Sequence, residues 1–330
     1  METHDESNPE RDVLADYLGK TSGNTASETH RSGFVAVVGK PNVGKSTLVN
    51  ALIGHKVAIT SNKPQTTRRR ILGILSRDDV QILFVDTPGI HQAKQALNRY
   101  MMSEVDEALS DCDAILFVVD VSRPPSDDDQ RVAEGINSMP QPKIMAMNKS
   151  DALDPRNVVA NVAAYESLLP SPNPLPGGEG FGMLTSATRG DNLDKLLAMV
   201  VDAMPLGPQY FPNDQATDQT ERMLASEFIR EQALRLLEQE VPHGIAVAIE
   251  EWQPRPNDVI YIAATIYVER DSQKGILIGK GGAMLKSIGL HARKEIQREL
   301  NTKVFLELWV KVREGWRKDD VLVRRFLEGS

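Results

Sequence analysis

Residues 39–46 read GKPNVGKS, a complete match to G-x-x-x-x-G-K-[ST]. The β-branched run FVAVV (34–38) precedes it and the helix-like STLVNALIG follows, so the pattern sits where a strand turns into a helix. Few backbones satisfy such a stretch. Its glycines let the chain wrap closely around a phosphate, with N–H groups at the helix start pointing into the turn. The pattern predicts a phosphate cradle of Gly39, Lys40, Pro41, Asn42, Val43, Gly44, Lys45 and Ser46. Lys45 would neutralise β- and γ-phosphate charge, and Ser46 would ligate Mg2+ through its hydroxyl.

Three shorter stretches gain meaning from their order after this one. DTPG (86–89) follows the strand-like QILFV. Asp86 at the strand end can reach the metal ion from behind its direct ligands or through water, and the Gly89 N–H can reach a γ-phosphate. Thr87, Pro88 and Ile90 complete that contact. NKSD (148–151) follows KIMAM and would read the base. Asp151, expected to be buried, can accept from guanine N1–H and the 2-amino group, which adenine lacks. A site built on such donors discriminates by about 10⁴. Asn148 would hold the base edge and brace the cradle, Lys149 would pack over the ring, and Ser150 completes the turn. SAT (186–188) adds Ser186 and the Ala187 N–H, offered to the guanine carbonyl. Taken singly, these stretches are ordinary turn chemistry.

Between the cradle and DTPG lies SNKPQTTRRR (61–70). A threonine here can ligate Mg2+ while γ-phosphate is present and release it afterwards, an order–disorder switch. Thr67 is the first choice and Thr66 the second. Arg68–Arg70 read either as a solvated charge run or as a phosphate or RNA contact.

Strand-like runs at 34–38, 71–75, 81–85, 114–119, 143–147 and 182–186 alternate with helical stretches near 95–111, 127–138, 155–168 and 191–203. That alternation predicts a doubly wound α/β domain over 33–204. Residues 1–32 are polar and acidic and read as a disordered tail. The Pro/Gly-rich stretch 170–180 reads as an exposed loop and 205–217 as a linker. Residues 218–318 then follow an α-β-β-α-α-β order, and 319–330 read as a C-terminal tail.

Net charge is -8, but it is unevenly spread: residues 274–325 hold 13 basic and 6 acidic side chains. A polyanion site is therefore open there despite the acidic total. Within it ILIGKGG (276–282) places a G-x-x-G turn between two helices. Such a turn brings backbone close to phosphates beside an apolar groove for about four unstacked bases. Ile276, Ile278, Gly279, Lys280, Gly281, Gly282 and Lys286 are the predicted RNA contacts, with Lys274, Arg293, Lys294, Arg298 and Lys303 adding phosphate attraction. The lone Cys112 fits a reducing compartment and reads as a small core residue. No apolar run approaches the ~20 residues of a membrane span, and the polar start METHDESNPE is no signal peptide.

The order GKPNVGKS, QTTR, DTPG, NKSD, SAT and LIGKGG resembles the Era family of bacterial GTPases over about residues 33–318. The resemblance implies a Ras-like G domain, GTP and GDP as ligands with Mg2+, and a type II KH domain. It further implies binding near the 3′ end of 16S rRNA and a role in maturation of the 30S subunit, in the cytoplasm and as a monomer. Ras-like enzymes orient the attacking water with a Gln after DxxG. Ile90 and His91 stand here, so intrinsic hydrolysis is expected to be slow, with His91 a minor candidate base. The resemblance also suggests that Asn42 helps bind K+ beside the phosphates, so the expected catalytic set is Lys45, Ser46, Thr67 and Asn42. A competing reading is an RNA-binding scaffold gated by nucleotide, with hydrolysis incidental. A third is peripheral contact with the inner face of the membrane through the Trp316–Phe326 tail.

Overall fold

The computed structural model describes residues 29–63, 65–90, 95–169, 181–237 and 244–328. The tail over 1–28, His91 and the 170–180 loop lie outside them.

β1 (Arg31–Val38) leads through the glycine turn into α1 (Lys45–Ile53). It begins three residues before the expected Phe34, so Arg31 and Ser32 belong to the sheet and not to the tail. β2 (Ile71–Arg77), β3 (Val80–Asp86), β4 (Ala114–Asp120), β5 (Lys143–Asn148) and β6 (Gly182–Leu184) complete a sheet of order β2-β3-β1-β4-β5-β6. Only β2 runs antiparallel, because a short turn joins it to β3. Side chains alternate between faces. Val35, Val37, Leu116 and Val118 meet α1 and α5 (Leu193–Ala203). Ala36, Val38, Phe117 and Val119 meet α2 (Ala96–Ser110), α3 (Asp127–Asn137) and α4 (Val158–Glu166). Helices on both faces bury the central strands completely, which is why those strands read as continuous apolar runs. Cys112 belongs to this core, where burial pushes its thiol up to about 11.

The second unit is α6 (Glu221–Leu236), β7 (Ala246–Arg255), β8 (Val259–Val268), α7 (Asp271–Ile278), α8 (Ala283–Glu299) and β9 (Lys303–Val312). Its sheet order is β7-β8-β9, with β8 and β9 parallel. Thr220 caps α6 by accepting from the Met223 N–H. The core joins α6 and α8 to one face of this sheet, and Ile59 of the first unit is part of it.

The stretch expected as a C-terminal tail is instead helical. α9 (Asp320–Glu328) and the turn at Trp316 carry Trp316, Val323 and Phe326 onto Ala96, Leu97 and Met101 of α2. Trp316 is fully buried and its ring meets that of Phe326 edge-on at 5.5 Å. Of the residues offered for membrane contact, Trp316 is thus buried and Phe326 partly buried against the protein. Among the described residues no helix is long and apolar enough to cross a membrane.

Candidate functional site

The ends of β1, β3, β5 and β6 bring the four predicted stretches to one edge of the sheet, as expected for an open α/β fold. The cradle turns tightly. Gly39 has φ +154, and a Cβ there would lie 2.3 Å from Val118 O; at Gly44, φ +100, it would lie 2.4 Å from Asn148 Nδ2. Asn42 also takes a positive φ of 65°. Val43 is buried in the core and anchors the turn. Lys45 Nζ donates to Gly39 O at 3.0 Å and Lys40 O at 3.1 Å. The Lys40 side chain points elsewhere, to Asp129 Oδ2 at 2.6 Å and Ser126 Oγ at 3.0 Å, tying the cradle to α3.

The three predicted metal ligands converge. Ser46 Oγ donates to Asp86 Oδ2 at 2.6 Å and lies 2.9 Å from Thr67 Oγ1, which itself lies 3.4 Å from Asp86 Oδ2. Thr67, not Thr66, joins Ser46 and Asp86 in this arrangement; Thr66 Oγ1 donates to Lys63 O. Asp86 is fully buried, and its Oδ1 has no protein partner among the described residues. Burial pushes the Asp86 carboxyl up to about 6, against the Ser46 hydrogen bond and the Lys45 charge. Burial likewise lowers Lys45 to about 8, against the attraction of Asp86. Two hydroxyls and an incompletely bonded carboxylate form a hard-oxygen set that suits Mg2+ shared with phosphates. A cavity of about 60 Å³ lies between the cradle and the residues Ile59, Thr60, Ser61, Gln65, Thr66 and Thr67.

The DTPG stretch closes the floor. Thr87 Oγ1 donates to Val37 O at 2.7 Å, so this side chain fixes the strand end and does not face the cradle. Pro88 is buried, and Gly89 passes so close that a Cβ would lie 2.8 Å from Pro41. Ile90 donates its N–H to Gly39 O at 3.3 Å and packs its side chain on the core.

On the base side, Asn148 Nδ2 donates to Val43 O at 2.9 Å, the expected brace. Asn148 Oδ1 accepts the Ala187 N–H at 3.0 Å, so that donor is engaged by protein and not held open for a base. Lys149 takes a positive φ and donates to Asp120 Oδ2 and Asn42 O, each at 2.7 Å. Sequence reasoning overlooked Asp120, although an Asp ending the buried run AILFVV was a legible signal. Burial opposes its charge, but the bonds from Lys149 and Ser122 hold its carboxyl below the ordinary value. Ser150 donates its N–H to Thr185 O at 3.0 Å. Asp151 is exposed, contrary to the expectation of burial: it is the middle residue of a short turn, Ser150–Ala152, past the strand end. Ser186 Oγ, fully buried, donates to Asp151 Oδ1 at 2.7 Å and aims the carboxylate.

Of Arg68–Arg70 only Arg70 is a solvated charge, and Arg68 and Arg69 are held by protein. Arg68 is buried, donates to Ile245 O and lies 5.7 Å from the Trp316 ring centre. Arg69 reaches Gln219 Oε1 at 2.9 Å and Leu327 O at 3.4 Å, and Arg70 pairs with Glu107. From the other side, Arg230 of α6 donates to Thr66 O. The segment ending in Thr67 is therefore fastened to the second unit, a link invisible from either stretch alone.

The G-x-x-G turn has the expected place: Gly279 (φ +72), Gly281 (φ +58) and Gly282 (φ +81) connect α7 to α8. Lys280 is exposed beside it. The groove of about 480 Å³ next to it is lined by Gly282, Leu285, Lys286, Gly289, Leu290, Arg293, Leu306 and Leu308. Its apolar walls come from α8 and β9. Ile276 and Ile278 do not line it: Ile276 stands exposed on α7, and Ile278 is half-buried. The i, i+4 pairing of Leu285 with Gly289, and Leu306 with Leu308 on one strand face, was the signal that could have found it.

Residues 34–149 match the 50S ribosome-binding GTPase family, and residues 240–317 match the KH domain family. GTPase Era of Geobacter metallireducens is 46% identical over 295 residues, 89% of this chain and 96% of the relative. The chain belongs to the Era family. Its fold superposes with a TM-score of 0.84, at 39% identity, on a crystal structure of Era in complex with MgGDPNP and nucleotides 1506–1542 of 16S ribosomal RNA, covering 90% of this chain and 98% of the other. The same TM-score and coverage hold for an Era variant of Aquifex aeolicus bound to GDP·AlF4−. The α/β unit is thus the Ras-like G domain of an Era GTPase, and the second unit is its KH domain.

Proposed function

We propose that this chain hydrolyses GTP to GDP and phosphate, binds 16S rRNA near its 3′ end through the KH groove, and acts in 30S subunit maturation in the cytoplasm. The observation that carries this is the joining, in one chain, of the Ser46–Thr67–Asp86 cluster with the groove beside Gly279–Gly282. Likeness over nearly the full length to an Era captured with both ligand classes supports it.

The cradle N–H groups and Lys45 hold the phosphates, and Asn148, Lys149 and Asp151 hold the guanine. Ser46, Thr67 and Asp86 would hold Mg2+, which when bound spreads the charge developing on β- and γ-oxygens. Ile90 cannot orient water by hydrogen bonding, so the intrinsic rate is slow. Asn42 Nδ2 donates to Asn62 O at 3.2 Å, which leaves the side-chain oxygen to face a monovalent cation beside the phosphates. Hydrolysis is therefore expected to be roughly tenfold or more faster in K+ than in Na+ buffer. Equal rates would remove Asn42 from the catalytic set.

The reading is tested by multiple-turnover GTP hydrolysis with and without purified 30S subunits. Stimulation is expected in the wild type and not in Lys286→Glu. If RNA binds but turnover never exceeds one per chain, the protein is a nucleotide-gated scaffold instead.

A further inference from the structure

β9 serves two faces. Leu306 and Leu308 line the groove, while its odd-numbered residues stand on the opposite side of the sheet, away from α6 and α8. There Phe305 is 54% and Trp309 56% exposed. One exposed aromatic needs no explanation, but Phe305 belongs to a stacked array and Trp309 stands on the same strand face four residues along. Tyr261, paired with Phe305 across β8–β9, stacks on it with ring centres 5.9 Å apart and planes 25° apart. The Arg255 guanidinium lies 3.9 Å from the Tyr261 ring centre and 5.9 Å from that of Phe305. Tyr261 Oη donates to Glu307 Oε2 at 2.6 Å, which fixes its ring. The other end of this face is covered, since Tyr267 meets Phe326 of α9 at 4.7 Å.

We infer that the open end is a second RNA surface, a stacking platform for unpaired bases of a strand that leaves the groove over β9. This rests on the RNA reading of the groove. β9 is the edge of its sheet, so groove and platform are separated by a single strand. The exposed Phe305 and Trp309 rings, Phe305 held within 25° of parallel to Tyr261, present a surface on which successive bases stack, and the guanidinium adds a cation–π contact. Lys303 and Lys311 are exposed at the two ends of β9, placed for phosphates. Glu307 at the centre and the exposed Glu251 of β7, which also acts on Tyr261, are opposing charges. The Glu307 carboxylate is tied to Tyr261, and its other oxygen can accept from a base amino group.

The test uses the full chain and two probes: the 16S rRNA fragment 1506–1542 and an oligomer of about four nucleotides, the length a KH groove holds. Phe305→Leu and Trp309→Leu are expected to weaken the long fragment by about 5- to 100-fold each and to leave the short one unchanged. Trp309→Tyr should restore most of the loss. The long fragment should also quench fluorescence that is absent from Trp309→Phe. Lys286→Glu should lose both probes. Wild-type affinity of the Leu variants for the long fragment, with Lys286→Glu still losing both, overturns the platform and spares the groove. Wild-type affinity of Lys286→Glu for both removes the groove reading and the platform with it. A change of oligomeric state in the Leu variants at unchanged RNA affinity would make the face a protein interface and overturn the proposal.

Discussion

Asp151→Asn is expected to lower affinity for GDP by roughly 10³–10⁴, with affinity for a xanthosine nucleotide rising in exchange. The carboxylate stands exposed at the sheet edge, aimed by the Ser186 hydroxyl at 2.7 Å. Asparagine keeps the shape and the Oδ1 that accepts from Ser186. It replaces the second acceptor by an NH2 donor. Guanine presents two donors at that edge, so donor faces donor, and both lose their partner when the base desolvates the site. Xanthine carries a carbonyl at C2 and meets the new donor. Adenine gains little, since it never had the donors that Asp151 reads. Titration calorimetry with GDP, XDP and ADP in saturating Mg2+ checks this. Unchanged GDP affinity in Asp151→Asn would show that the base is read elsewhere. Because Asp151 is exposed, its loss should leave thermal stability near that of the wild type, which separates a reading defect from a folding defect.

What was legible in the sequence was local. The cradle announces itself because only glycine tolerates the turns at Gly39 and Gly44, and strands buried on both faces must be apolar along their length. Ser46, Thr67 and Asp86 could be chosen from three separated stretches because each follows or opens a strand or helix whose end points the same way. What was not legible depends on a partner surface. Arg68–Arg70 carry no period, and their meaning comes from Ile245, Gln219 and Leu327, between 150 and 258 residues away. The sequence places Ile276, Ile278 and the strand beyond along the groove; the strand does line it, through Leu306 and Leu308, but the facing wall is α8 and not α7. The 319–330 stretch was read as a tail although Leu322, Val323, Phe326 and Leu327 repeat at helical spacing; its polar residues masked a face that Trp316 completes.

The join between domains has its own deep charge, and removing it should show how the two halves communicate. Glu231 on α6 is fully buried. Its Oε1 accepts from the Thr60 N–H and Arg235 Nη2, each at 2.9 Å, and its Oε2 accepts from Lys56 Nζ at 2.7 Å. Lys56 and Thr60 belong to the G domain, just before the segment that ends in Thr67. Truncating one member of such a cluster leaves the others desolvated, which costs about 3–5 kcal/mol. Lys56 is 17% exposed and keeps Glu295 at 3.3 Å, so the loss for Glu231→Ala should fall near the lower figure. Glu231→Gln still offers an acceptor to Thr60 and should lose roughly half as much. Each domain has its own apolar core, so the loss should fall on their docking. Urea unfolding is expected to separate from one transition into two, while GDP affinity, which depends on the cradle and the base turn, stays near wild type. Turnover should fall with docking, since Thr60 no longer holds the chain that presents Thr67 to Ser46 and Asp86. A Lys56→Met, Glu231→Ala double-mutant cycle isolates the pair. A coupling below about 0.5 kcal/mol, with a single unfolding transition retained in Glu231→Ala, would mean that the other contacts of the join, Ile59, the packing of Trp316 and Val323 on α2 and the Arg68 and Arg230 hydrogen bonds, hold the domains together without this cluster.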